Sequence, residues 1–297
     1  MRTRRLRPWR AGAGRPRHRR RGEANSPSRA RVRASSRSAS CARVPLPAGG
    51  TGVKTIEESV MERKTSVVTP ERFASGMTFD QYVAYIGTPE NLKREGSGRP
   101  RSDMTANLRA GYAAARLDDA QTAAIKWLAA RPNGPAKVLV ISEEWSSDCR
   151  RDVPMLARLA EAGGMELRIF RRDGQRFSSS HRPSLAEAPD SNADIMAELL
   201  NTKNGQTWQS IPVAVFYTKN LEYIYHYTEY PAIYQKDAVV GGLRGARPGE
   251  SKDETQKRGD REFTELQQSP FFRIWACAGI DEILSALHRK VVLGPSA

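Results

Sequence analysis

The chain has 297 residues, with 48 lysines and arginines against 33 aspartates and glutamates, a formal charge of +15. The imbalance lies wholly in residues 1–55, which hold 16 bases and the single acid Glu23 and leave 32 charges of each sign in the rest. A basic chain often points to nucleic acid, but here the excess belongs to one end, and no run approaches the roughly 18–20 apolar residues of a membrane-crossing helix.

Residues 1–60 are rich in Arg, Ser and Pro, with almost no large apolar side chain after Trp9. Such a composition buries too little surface to offset its ordering entropy, so this head is expected to be disordered. Three readings stay open: a nucleic-acid arm within residues 1–55, an organelle transit peptide, or translated upstream sequence with the true start near Met61. Cys41, Cys149 and Cys277 are too few for a disulfide scaffold and none sit at metal-ligand spacing, so a reducing, cytoplasmic setting is expected unless the head directs the chain to an organelle.

Residues 61–135 read as a helical extension. Phe79–Ile86 forms a short amphipathic piece. Asp103 or Thr105 can cap a helix running to about Arg116, and Asp118 another that stops before Pro132-Asn133-Gly134. The domain proper follows over residues 136–297. Lys137–Ser142 (K-V-L-V-I-S) has the β-branched apolar run of a strand buried on both faces. Val153, Leu156, Leu159 and Ala160 share one helical stripe, ended by Gly163-Gly164, and Met165–Phe170 is a second strand. A strand, helix and strand of these lengths make a right-handed parallel βαβ unit.

Residues 174–190 form a polar, serine-rich insertion, and Ser191-x-x-Asp194 has capping-box spacing before Ile195, Met196, Leu199 and Leu200. Pro212–Thr218 is a third strand, Lys219-Asn220 a turn, and Leu221–Thr228 an antiparallel return with Tyr223, Tyr225 and Tyr227 on one face. Residues 236–262 read as a charged, glycine-rich insertion, a loop grading into a solvated helix. A last helix carries Ile280, Ile283, Leu284 and Leu287. The order β-α-β, α, β-β-α describes an α/β sandwich.

The stretch Trp145-Ser146-Ser147-Asp148-Cys149-Arg150-Arg151 lies where the first strand turns into a helix, beside that helix's partial positive charge. Gly241-Gly242-Leu243-Arg244-Gly245 lacks the Lys-Ser/Thr of a phosphate loop, and the four histidines show no i, i+4 pairing. No metal site or cofactor is expected.

This stretch resembles the thioredoxin-like superfamily, and within it the bacterial "thioredoxin family protein" group. Members carry W-C-x-x-C at this turn, where the chain has Trp145-Ser146-x-x-Cys149. Ser210-Ile211-Pro212-Val213 matches the family's cis-proline segment before the third strand. The resemblance spans roughly residues 104–234 and implies a three-layer sandwich around a central mixed sheet. It also implies a groove walled by Trp145, Arg150, Ile211 and Pro212, in which the backbone before Pro212 pairs with an extended peptide.

The departure is at the attacking position, where Ser146 replaces the family's first cysteine. A serine hydroxyl forms no disulfide, so the dithiol cycle is lost. Cys149 stands at the resolving position, and the buried Asp that many thioredoxins carry nine residues earlier is Val140. Glu143 and Glu144 are nearby candidates to replace it. Two functions follow. One is weak or single-thiol disulfide exchange at Cys149, with Ser146 beside it, Arg150 favouring a thiolate and a protein or small thiol as substrate. The other is a non-catalytic peptide- or protein-binding module that kept the groove.

Overall fold

The computed structural model describes residues 66–294, so the readings of the basic head lie outside the described residues. Among the described residues, five helices precede the first strand: α1 (Pro70–Ala74), α2 (Phe79–Ile86), α3 (Pro89–Leu92), α4 (Thr105–Ala114) and α5 (Asp119–Ala129). Two of them open on capping boxes, Thr78 with Gln81 and Asp118 with Gln121, which satisfy orphan amides of the first turn. Asp103 does not cap α4 but accepts the Thr105 amide at 2.8 Å.

β1 (Lys137–Ser142), α6 (Ser147–Gly163) and β2 (Glu166–Arg171) then form the expected parallel unit, with Val140 opposite Ile169. α6 ends at Gly164 in the left-handed region (φ 62°), with its amide bonded to the Ala160 and Glu161 carbonyls. That conformation favours glycine because it has no Cβ to clash.

After the irregular segment 172–192 come α7 (Ala193–Ala197), the small hairpin β3 (Asn201–Lys203) and β4 (Gln206–Trp208), then β5 (Val213–Tyr217) and β6 (Tyr223–Thr228). The main sheet has the order β2-β1-β5-β6, with β5 antiparallel to both neighbours, so it is mixed. The β2 edge is covered by a bridge in which Met77 and Ile169 exchange both backbone hydrogen bonds, leaving less edge open to pairing.

The core lies on the strands and on the α6 stripe. Val138 to Ile141, Val213 to Phe216, Val153, Leu156 and Leu159 are all buried, as are Ile280, Ile283, Leu284 and Leu287 of α10 (Pro270–Leu293). Each such aliphatic side chain contributes about 1.5–3 kcal/mol by leaving water.

Three local expectations are corrected. The Ser191 capping box does not form, because the Asp194 carboxylate pairs with Arg72 of α1 and Ser191 Oγ accepts from the Ala193 amide. The tyrosine face is interrupted by a bulge at Phe216/Tyr217, so Tyr227 is buried while Tyr223 is exposed. Residues 236–262 are not a loop but mostly helix, with α8 (Lys236–Arg244) and α9 (Lys252–Gln268) on either side of a short turn. Ser251 and Glu254 cap α9 reciprocally, and Arg258 bridges Glu250 and Glu262 while donating to the Leu243 and Gly245 carbonyls.

Candidate functional site

Residues 143–146 make the whole connection between β1 and α6. Ser146 is extended (φ −77°, ψ 126°) and caps α6, its Oγ accepting the Cys149 amide at 3.4 Å. Cys149 therefore sits in the first turn of the helix, but only 1% exposed and within the hydrophobic core. Burial pushes its thiol up to about 12, against hydrogen bonds from Ser142, the Glu143 amide and Ser146 that favour the thiolate. Desolvation wins, and the sulfur stays protonated at neutral pH.

The other residues named from the sequence fall around this corner. The Trp145 ring meets Phe177 edge-on at 5.7 Å, and the Arg172 guanidinium lies 5.2 Å over it. Its indole N–H is buried and has no partner among the described residues. Arg150 turns its guanidinium to the Glu144 and Trp145 carbonyls (2.8 and 2.9 Å) and to Gln267 of α9 (3.1 Å). It braces the turn and ties α9 to it.

The Ile211–Pro212 bond is cis, and the Pro212 carbonyl accepts from the Glu229 amide at 2.7 Å. Ile211, by contrast, uses neither its amide nor its carbonyl in a hydrogen bond with any described residue. Trp145, Ser146, Arg150 and Ile211 line one cavity of about 1500 Å³, while Cys149 and Pro212 lie behind its wall.

Glu143 and Glu144 do not reach the thiol with their carboxylates. Glu143 accepts from Arg94 (2.8 Å), Arg101 (2.7 Å) and the Asp173 amide (2.8 Å), and Glu144 from Arg101 (2.7 Å). All four side chains are at most 1% exposed. They clamp the segment between α3 and α4 onto the end of β1, so Cys149 has no carboxylate in the place of the family's proton acceptor.

A second charged group at the cavity was not foreseen. Asp148 accepts from Arg151 (2.7 Å) and Lys236 (2.6 Å), and Lys236 also reaches Glu229 (2.6 Å), which pairs with Lys203 as well. The sequence signal was slight: Asp148 and Arg151 have i, i+3 spacing, but Glu229 and Lys236 join only through the fold. Burial alone would raise the Glu229 carboxyl, yet Lys236 and Lys203 hold it below its ordinary value. Its stabilising contribution is thus complete above the unfolded value of about 4.3 and is lost as pH falls through the lower folded value. Urea midpoints recorded downward from about pH 5 are expected to fall less steeply in Glu229→Gln than in the native chain, and parallel curves would contradict the assignment.

Among the described residues no group of histidine, cysteine or carboxylate side chains is placed to hold a metal ion, and no helix is long and apolar enough to cross a membrane.

No curated protein matches the chain. Solved structures similar to it include a protein of unknown function from Pseudomonas aeruginosa, with 13% identity, a TM-score of 0.44, and coverage of 74% of this chain and 98% of that one. An HIV epitope scaffold is similar at 14% identity and a TM-score of 0.41, over 73% of this chain and 96% of the other. Likeness at this level carries no argument about function. Residues 101–182 match the family model described as Thioredoxin. That segment holds β1, the Ser146–Cys149 turn, α6 and β2, and with its central mixed sheet the domain is thioredoxin-like.

Proposed function

We propose that this protein is a non-catalytic peptide- or protein-binding module, built on a thioredoxin-like domain whose groove persists without its redox cycle. The observation that carries this reading is the state of Cys149, a thiol 1% exposed and pushed up to about 12. Only a thiolate attacks disulfides at a useful rate. In front of Cys149 stands Ser146, whose hydroxyl has no histidine or carboxylate partner among the described residues, so it has no base to activate it. Exchange at a single thiol, the other function open from the sequence, asks the least reactive sulfur position to do the chemistry alone.

Binding needs none of that. The free amide and carbonyl of Ile211 offer an extended segment a donor and an acceptor, the pattern of strand addition. Trp145 and Phe177, packed edge to face with the Arg172 guanidinium over both rings, form the wall beside it.

Alkylation tests the reading. Relative to an unfolded cysteine with a pKa of about 8.5, a thiol near 12 has far less thiolate at neutral pH. Cys149 in the folded chain is expected to react with iodoacetamide about two to three orders of magnitude more slowly than in the urea-unfolded chain. Labelling of folded Cys149 as fast as in urea would restore single-thiol exchange as the better account.

A further inference from the structure

The cavity is roofed by α9. Gln256, Asp260, Thr264 and Gln267 stand on the α9 face that lines it, spaced three or four residues apart and so on one side of the helix. Apart from Phe263 that lining is polar, and a helix that closes over its own domain core turns an apolar stripe inward instead. Two polar straps hold the roof: Arg99 to Asp260 at 2.7 Å, and Arg150 to Gln267 at 3.1 Å.

The charge of the lining is lopsided. Its three carboxylates, Asp148, Glu229 and Asp260, are all engaged by cations. Five lining cations have no carboxylate partner among the described residues: Arg116, Arg150, Arg244, Lys252 and Arg273. They come from the turn after α4 and from α6, α8, α9 and α10, so five separate parts of the fold converge on the same space with the same sign. Low-dielectric walls concentrate such a field.

Resting on the groove reading of the proposed function, we infer that the occupant is an extended, acidic peptide segment of a partner protein, lying between Ile211 and α9 with its carboxylates on these cations. The volume of about 1500 Å³ exceeds the roughly 300–1,000 Å³ of small-molecule pockets and suits a run of several residues. Single-stranded nucleic acid fits less well, because it binds by stacking bases on open ring faces. Here Trp145 and Phe177 are covered by Arg172, Phe263 by Arg244 and Phe272 by Arg151, which leaves Trp208 as the exposed ring of the lining, too few for successive bases. A nucleotide backbone also lacks the alternating amide and carbonyl that Ile211 offers to match.

The test uses the full chain and fluorescein-labelled probes read by anisotropy: an octaglutamate peptide, a neutral Gln-Ser octapeptide and an oligothymidylate. Arg116→Gln and Arg273→Gln are combined in one variant; both side chains are exposed, and the basic head is identical in the two proteins, so its attraction for anions cancels in the comparison. The octaglutamate peptide should bind the native chain more tightly than the neutral one, and the double variant should weaken it about tenfold or more while leaving the neutral peptide unchanged. Equal octaglutamate binding by both proteins overturns the inference. So does an oligothymidylate that binds more tightly than octaglutamate and loses more in the variant, which would make the cavity a nucleic-acid site. Neutral-peptide binding that is abolished by Thr264→Trp in the roof, with no octaglutamate preference, would keep the groove and reject the acidic ligand. Failure of both peptides to bind would sink the groove reading itself.

Discussion

Ser146→Cys is expected to yield a protein that forms and breaks a disulfide between positions 146 and 149. The Ser146 hydroxyl is in hydrogen-bonding contact with the Cys149 thiol, and its Oγ also accepts the Cys149 amide. A sulfur in its place would stand next to Cys149 at the helix N-terminus, where orphan amides and the dipole stabilise a thiolate. Such first-position thiols have pKa values of about 7 or below, whereas Cys149 lies near 12. The fraction of reactive thiolate at neutral pH thus rises by about four orders of magnitude or more. Equilibration of the variant with oxidised and reduced glutathione, followed by trapping with a mass-tagged maleimide, should reveal one intramolecular disulfide that dithiothreitol removes. The native chain should take up no such bond. Two thiols that stay free across the redox range would mean that positions 146 and 149 are not the paired positions of a thioredoxin-like site.

How much of this was legible depends on how far apart the cooperating residues lie. The run K-V-L-V-I-S specifies β1 to the residue, because a strand buried on both faces leaves no polar position to blur its ends. The α6 stripe and its glycine stop are equally local. The solvated helix expected at the end of residues 236–262 corresponds to α9, but α8 reads as loop in the sequence because Gly241, Gly242, Gly245 and Gly249 lower helix propensity there. Ser251-x-x-Glu254, the capping box that opens α9, was the available signal.

At the site, the serine at 146 could be read directly, since it is a departure in a short motif. The burial that silences Cys149 could not, because it depends on α2, whose Tyr82 hydroxyl reaches Ser142 at 3.0 Å from 60 residues away. The five cations of the cavity are scattered over more than 150 positions, and only the fold gathers them. Glu143 and Glu144 show the same limit from the other side. Their position beside the motif suggested proton transfer, whereas their partners Arg94 and Arg101 lie more than 40 residues upstream.

That buried cluster sets the largest expected loss of stability. Glu143→Ala should lower the unfolding free energy by about 3–5 kcal/mol, the cost of stranding a buried charge. Arg94 has no other carboxylate among the described residues and stays fully buried, while Arg101 retains Glu144 as its one carboxylate there, besides the Glu95 carbonyl, and already has one guanidinium nitrogen unpaired. The Asp173 amide loses its acceptor as well. The surface pair Lys137–Glu166 supplies the contrast. With both side chains partly in water, Glu166→Ala should cost no more than about 1 kcal/mol. Urea unfolding of the two variants in parallel separates these magnitudes, and equal, small losses would show that the cluster is not sealed from solvent. Because Glu143 anchors the segment before α4 to the end of β1, its loss should also loosen the wall behind Trp145. Cys149 should then label faster in Glu143→Ala than in the native chain under folding conditions, whereas in Glu166→Ala its rate should not change.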